Sequence, residues 1–399
     1  MDVAVTDVTS FNVKPLGRLD IPGGGQVTVQ GDLAFVGHID PPHGTSIIDI
    51  SDPTAPKVIS TLEMPPESHS HKVRVSGDIM CINNENYRRH QMIAGAKLPA
   101  EKKRLEAELG RPPTNAELAA ALNNYRAEDI PALLQAAAEG YQGGGLRIYD
   151  IADPAQPREL AFFKTGGNGV HRFDFDGRYA YLSTRMEGYH GYIVMIVDLK
   201  EPSKPEEVSR WWLPGQWIAG GEEPDWGDLR YECHHPLRFG DRLYVSYSMA
   251  GIVILDISDI AKPHMVGHYN TSYHPLFFKS HTFARMPHRL GGKDVAVVVD
   301  EQPPRPRTGQ VPAFMWVFDV SDETAPKPLS TYSMSEEDTP WKRGDLGYGA
   351  RFGAHQCHER MTGSLVYVVW FRGGLRIVDI ADPLKPAEVG YFIPTPGPG

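Results

Sequence analysis

The sequence predicts an all-β protein, a β-propeller of six blades (seven being the alternative) with a helical insertion in the second blade. Three observations predict it. One phrase recurs six times along the chain, a second stretch alternating with period two precedes each copy, and a single segment between copies changes to helical spacing.

The recurring phrase reads "SIIDISDPTAPKVIS" (46–60), "LRIYDIADPAQPREL" (146–160), "VMIVDLKEPSKPEEV" (194–208), "IVILDISDIAKPHMV" (252–266), "MWVFDVSDETAPKPL" (315–329) and "LRIVDIADPLKPAEV" (375–389). Each copy is an Ile/Val-rich run ending in Asp (Asp49, Asp150, Asp198, Asp256, Asp319, Asp379). Such runs favour strands. The Asp accepts turn N–H groups and the following Pro stops the strand, so each copy is a hairpin. Upstream lie stretches such as "HRFDFDGRYAYLS" and "HPLRFGDRLYVSYS", which alternate around a D-G or G-D turn and give a second hairpin. Six units of four antiparallel strands, about 45 residues each without insertions, spell a propeller covering 1–399 as one domain. The strand-like "VKPLGRLDIPG" (13–23) precedes the first unit and is expected to close the ring against the last.

Composition narrows the function classes. The 399 residues are 41% hydrophobic and 23% charged, with a net charge of −10 and no long basic run. Nucleic-acid surfaces need concentrated Lys/Arg, so that partner class is excluded. Three scattered cysteines do not make a disulfide framework, and no apolar run approaches the roughly 18 residues of a membrane span. The opening "MDVAVTDVTSFNV" lacks the basic and apolar regions of a signal peptide. A cytoplasmic protein that binds no membrane is expected.

The "LRIVDIADPLKP" phrase resembles the LVIVD repeat of β-propeller proteins, and the resemblance covers nearly the whole chain outside one insertion. A more distant similarity links the "DISDP" style of repeat to the selenium-binding protein (methanethiol oxidase) group. Better-studied members of that group are copper-dependent oxidases on a propeller. The resemblance implies the fold and tilts the activity toward oxidation. It carries over no site residue, because no catalytic motif of that group maps onto this chain.

Histidines supply the candidate chemistry. Phe35, Tyr244 and Tyr367 each lie nine positions after Gln26, His235 and His358, the first residues of their units' first strands. The same frame, allowing one residue of turn length, gives His71 and His171, and His281 opens the longer fifth hairpin. Five units of six therefore begin with histidine. In a propeller these positions converge on the axis, where neutral imidazoles hold a metal ion with coordination positions left open. Flanking His69, Cys233, His234, His355 and Cys357 thicken the cluster. The competing reading gives each histidine a structural bond to the next blade.

The elaborate loops share the histidine face. The excursion across 84–143 contains an insertion, 88–141, with helical spacing over 99–110, 113–125 and 129–140 and a capping box at Thr114 and Glu117. It reads as a helical lid, with a homo-oligomer contact as the alternative. Glu85, Glu187, Glu301 and Arg185 lie just beyond second strands and are the candidate catalytic residues. Carboxylates there orient ligand imidazoles or act as general bases, and arginine fixes an anionic substrate. No G-x-S-x-G, C-x-x-C or H-E-x-x-H motif occurs, and the glycine runs precede no helix. The expectation is a metal-dependent oxidoreductase of oxygenase or oxidase type. Its expected substrate is a small organic molecule, an aromatic one included. Iron or copper is the favoured ion. Zinc or manganese in a lyase or hydrolase is the alternative, and a non-catalytic scaffold for protein partners the second.

Overall fold

The computed structural model describes residues 9–122, 125–227, 229–271, 279–302, 311–341 and 351–395. Two residues of the helical stretch expected over 113–125 lie outside them. Among the described residues the strands make six successive antiparallel units of four, spanning 24–63, 68–164, 170–211, 231–269, 279–332 and 354–393. Sequence neighbours are sheet neighbours within each unit, and the fourth and fifth units touch through one bridge, Ser248 to Ser280.

The repeated phrase folds for the reason its residues suggest. Asp49, Asp150, Asp198, Asp256, Asp319 and Asp379 end the third strands, and each accepts a hydrogen bond from the backbone N–H two residues on. Each fourth strand then carries a bulge beside a small residue: Ser60, Ala161, Ser209, Gly267, Ser330 and Gly390. The next unit's turn packs there. Ser60, Ser209 and Ser330 donate to the carbonyls of Pro154, Ile260 and Pro383 at 2.7, 2.7 and 2.6 Å. Gly267 has no room for even a methyl group, since a Cβ would lie 1.9 Å from the Glu323 carbonyl oxygen.

The strand added to the last unit is not the one the sequence predicts. The N-terminal strand is Thr9–Phe11, added antiparallel to the outer edge of Ala387–Ile393. Residues 13–23 form no strand. Pro15 and Pro22 lack the N–H that a ladder needs. Leu19 and Ile21 instead pack against Ala34, Val36 and Ile48 of the first unit.

Consecutive first strands contact one another from the first unit to the sixth. Between the second and third strands of the second unit lie three helices: α1 (Arg89–Leu109), α2 (Asn115–Leu122) and α3 (Ile130–Glu139). Thr114 and Glu117 cap α2 reciprocally, the Glu117 carboxylate accepting from the Thr114 N–H at 2.8 Å and the Thr114 hydroxyl from the Glu117 N–H at 3.3 Å. Helix α1 starts ten residues before the position suggested by Pro99, which sits inside it. Gly95 permits the α1–α3 crossing, where a Cβ would fall 1.9 Å from the Leu133 carbonyl oxygen. Among the described residues no helix is long and apolar enough to cross a membrane. Cys81, Cys233 and Cys357 are free and buried.

Candidate functional site

The site is built on irregularities of the first strands. In the first, third, fourth, fifth and sixth units the ladder to the second strand slips near the axis, between Gly24 and Val27, Val170 and Arg172, Tyr231 and His235, Ser280 and Thr282, and Ala354 and Gln356. In the second unit the first strand is interrupted between His69 and Val73. A bulged residue has no cross-strand partner, and its side chain is re-aimed. The residues so placed are His71, His171, His234, His281 and His355. The first unit puts Gly25 there, because a Cβ would lie 2.5 Å from the His71 carbonyl oxygen.

These rings, with His69, form a continuous arc. Centroid separations run 4.4 Å (His69–His71), 5.4 Å (His71–His171), 4.9 Å (His171–His234), 4.2 Å (His234–His281) and 4.4 Å (His281–His355). Burial, then neighbouring cations and imidazoles, depresses proton affinity: His71, His234 and His281 fall well below the ordinary value. Burial likewise takes His171 to about 4 despite the opposing pull of Glu85, and His355 to about 3. These five imidazoles are neutral at pH 7.

Hydrogen bonds then decide which nitrogens carry lone pairs. His171 Nδ1 donates to the Glu85 carboxylate, at 3.1 and 3.0 Å from its two oxygens, and His234 Nδ1 donates to the His281 carbonyl at 2.9 Å. Both Nε2 atoms are therefore unprotonated, and they face each other at 3.2 Å. Two lone pairs so close repel unless a cation lies between them. Two imidazole nitrogens bound to one ion at about 2.0–2.1 Å sit about 3.0–3.4 Å apart at bond angles of about 90–110°, which matches this separation. His71 is oriented otherwise: Asn83 Oδ1 accepts from the Lys72 backbone N–H at 2.8 Å, fixing the amide so that Nδ2 donates to His71 Nδ1 at 3.3 Å. His281 Nε2 accepts from Arg172 at 2.9 Å, and that guanidinium also donates to Gln356 at 2.8 Å. Neither nitrogen of His355 has a hydrogen-bond partner among the described residues. Its ring stacks on Phe371 with centroids 4.7 Å apart.

Two carboxylates frame the arc. Glu85, fully buried, accepts from Tyr192 Oη at 2.9 Å and lies 2.9 Å from His69 Nε2 and 3.4 Å from Arg89 Nε of α1. Glu301 pairs with Lys279 at 2.8 Å and Arg351 at 3.1 Å. Two sets bring three potential ligand atoms within 4.8 Å of one another: His69, His71 and Glu85, and His234, His281 and Glu301. A cavity of about 340 Å³ opens on the arc, walled also by Ile39, Arg89, His90 and Ile93, so the start of α1 forms part of its wall.

Not every expected residue arrives. His235 lies one position past the bulge, with its Nδ1 3.4 Å from Glu359 and 3.5 Å from Arg172. His358 stands on its own hairpin, accepting the Tyr367 N–H at 3.2 Å. Counting back from the second strand misplaced both, since the sixth hairpin is longer and the fourth bulge holds extra residues. Their flanking neighbours His234 and His355 occupy the arc instead. Of the four expected catalytic residues, Glu85 and Glu301 belong to it. Arg185 sits against Glu232 (3.6 Å) and the Tyr192 ring, and Glu187 is exposed in its loop. Neither lines the cavity.

Beneath the arc a second layer collects around Glu359 of the sixth unit. It accepts from Gln26 of the first and Gln356 of its own unit at 2.9 Å each. It also pairs with Arg74 of the second, and lies 3.6 Å from Arg172 of the third and 3.4 Å from His235 of the fourth. One carboxylate thus meets side chains of five units, its own included. Sequence reading missed this group, which has no local pattern.

The family model for the LVIVD repeat matches residues 24–63, 239–271 and 361–393. No curated protein matches the chain. Among solved structures it is similar to the periplasmic gluconolactonase PpgL of Pseudomonas aeruginosa (12% identity, 90% of this chain and 81% of that one, TM-score 0.54). A putative 6-phosphogluconolactonase from Bacteroides uniformis is similar too (8%, 91% and 85%, TM-score 0.51), as are the WD40 repeats of RRP9 (11%, 98% and 84%, TM-score 0.52). At such identities the likeness speaks to the fold. The chain carries LVIVD repeats and has an all-β, mostly antiparallel fold like that of β-propeller proteins.

Proposed function

We propose that the six units are the blades of one ring and that the histidine arc holds a transition-metal ion in the active site of an enzyme acting on a small organic molecule. The facing Nε2 atoms of His171 and His234 carry the reading. His281 and Glu301 neighbour His234 in a set of three potential ligand atoms that leaves His171 out, while Glu85, bonded to His171 Nδ1, holds that ring's tautomer and orientation. A purely structural role would repeat one bond around the ring. Instead the five histidines at the bulges and the strand interruption differ in partner: an amide for His71, a carboxylate for His171, a carbonyl for His234, a guanidinium for His281 and an aromatic face for His355.

Iron or copper at this position would supply redox chemistry toward O₂ or an organic substrate. Redox chemistry fits the walls better than hydrolysis does. The two carboxylates on the cavity wall are committed, Glu301 to Lys279 and Arg351 and Glu232 to Arg230 and Arg185, and so is Glu85 behind it, to His171 and Tyr192. None stands free as a general base for water. The resemblance of the repeat phrase to a group containing copper-dependent oxidases points the same way.

Elemental analysis of the purified protein, with an anomalous-scattering map, tests the proposal. Near-stoichiometric iron or copper is expected, lost in His171→Ala and His234→Ala and retained in His358→Ala. Folded protein that takes up neither metal on supplementation would refute it. Zinc or manganese alone would refute the redox assignment.

A further inference from the structure

The cavity wall carries six cationic side chains, Lys72, Arg89, Arg172, Arg230, Lys279 and Arg351, against two carboxylates, Glu232 and Glu301. Five of the six are partnered: Arg89 with Glu85 and His69, Arg172 with Gln356 and His281, Arg230 with Glu232, and Lys279 and Arg351 with Glu301. Lys72 is the exception. It is 5% exposed, lines the cavity, and its ammonium has no hydrogen-bond or ion-pair partner among the described residues. A lysine amine held at the cavity wall without an acceptor has donors to spare, and the deficit marks where an anion belongs. Beside these and the histidines, Ile39, Ile93, Tyr192 and Phe371 offer apolar surface. About 340 Å³ lies at the low end of small-molecule sites.

We infer that the ligand of this cavity is an organic acid, a carboxylate on a compact apolar body, with Lys72 as the carboxylate anchor and Ile39, Ile93 and Phe371 receiving the body. The inference rests on the cavity being the active site and assigns its substrate class. Lys72 follows His71 in sequence, so the anchor is built on the strand that supplies part of the arc.

The test is calorimetric titration of the full-length protein, chelator-stripped and then metal-loaded, with phenylacetate and with its neutral counterpart phenylacetamide. The acid is expected to bind the stripped protein at least tenfold more tightly than the amide. Lys72→Met should erase that preference and Lys72→Arg should keep much of it, with circular dichroism confirming that both fold. Equal affinity for acid and amide in the wild-type protein overturns the inference, as does an unchanged preference in folded Lys72→Met. Inorganic phosphate displacing phenylacetate at equal concentration overturns the apolar-body half. Because the primary readout uses stripped protein, absence of metal leaves this result standing, and a metal-binding protein indifferent to the acid defeats it alone.

Discussion

Tautomers decide the chemistry of the arc one residue at a time. His171 and His234 present lone pairs to each other because Glu85 and the His281 carbonyl claim their Nδ1 hydrogens. Replacing Glu85 by Gln removes the acceptor charge that holds His171, so metal affinity should fall about 10–100-fold with metal stoichiometry recoverable at excess ion; competition with a chelator would measure it. Tyr192→Phe removes one hydrogen bond to Glu85 and should act in the same direction, more weakly.

At the scale of the element, the bulge does the placing. A regular first strand would alternate its side chains and send half of these histidines into the sheet. The slip of register turns each one toward the axis while the strand beyond it keeps its ladder. The fourth strands show the complementary device, a small residue where the next unit's turn packs. Gly267→Ala would force a Cβ onto the Glu323 carbonyl, and a loss of about 2–4 kcal/mol is expected. Ser60→Ala, which only removes the bond to Pro154, should cost about 1 kcal/mol. Urea unfolding of the two variants would rank them, and equal costs would contradict this account of the contact.

For the molecule as a whole, Glu359 ties the units together. Burial alone would raise its carboxyl, but Arg74, then His235 and Arg172, outweigh burial and hold it at about 2. An unfolded chain titrates it near 4.3. The depressed value therefore contributes stability that is complete above about pH 4.3 and disappears as pH falls through about 2, on the order of 3 kcal/mol. Glu359→Gln should remove up to one proton from the acid unfolding slope over that interval. It should also destabilise the neutral protein by leaving Arg74 and Arg172 short of an acceptor. Stability followed against pH checks both. Removing residues 1–11 takes away the strand that pairs Thr9 with Ile393 and Phe11 with Tyr391, and a lower Tm should follow.

Much of the architecture was legible because it is local and repeated. Six aspartates at the ends of Ile/Val runs specify six turns through bonds spanning two residues, and period-two alternation specifies the hairpins. Thr114 and Glu117 announce a helix start in the same way. The richness of the axis in histidine was legible too, and so were Glu85 and Glu301. Which imidazole of each neighbouring pair reaches the axis was not, because a bulge or a longer hairpin shifts the register by a residue or more without an obvious mark in the chain. Nor could sequence alone assemble Glu359 with Gln26, Arg74, Arg172 and His235, drawn from five units. Hydrogen bonds across two residues are written in neighbouring letters; a shared acceptor on an axis exists only once the ring has closed.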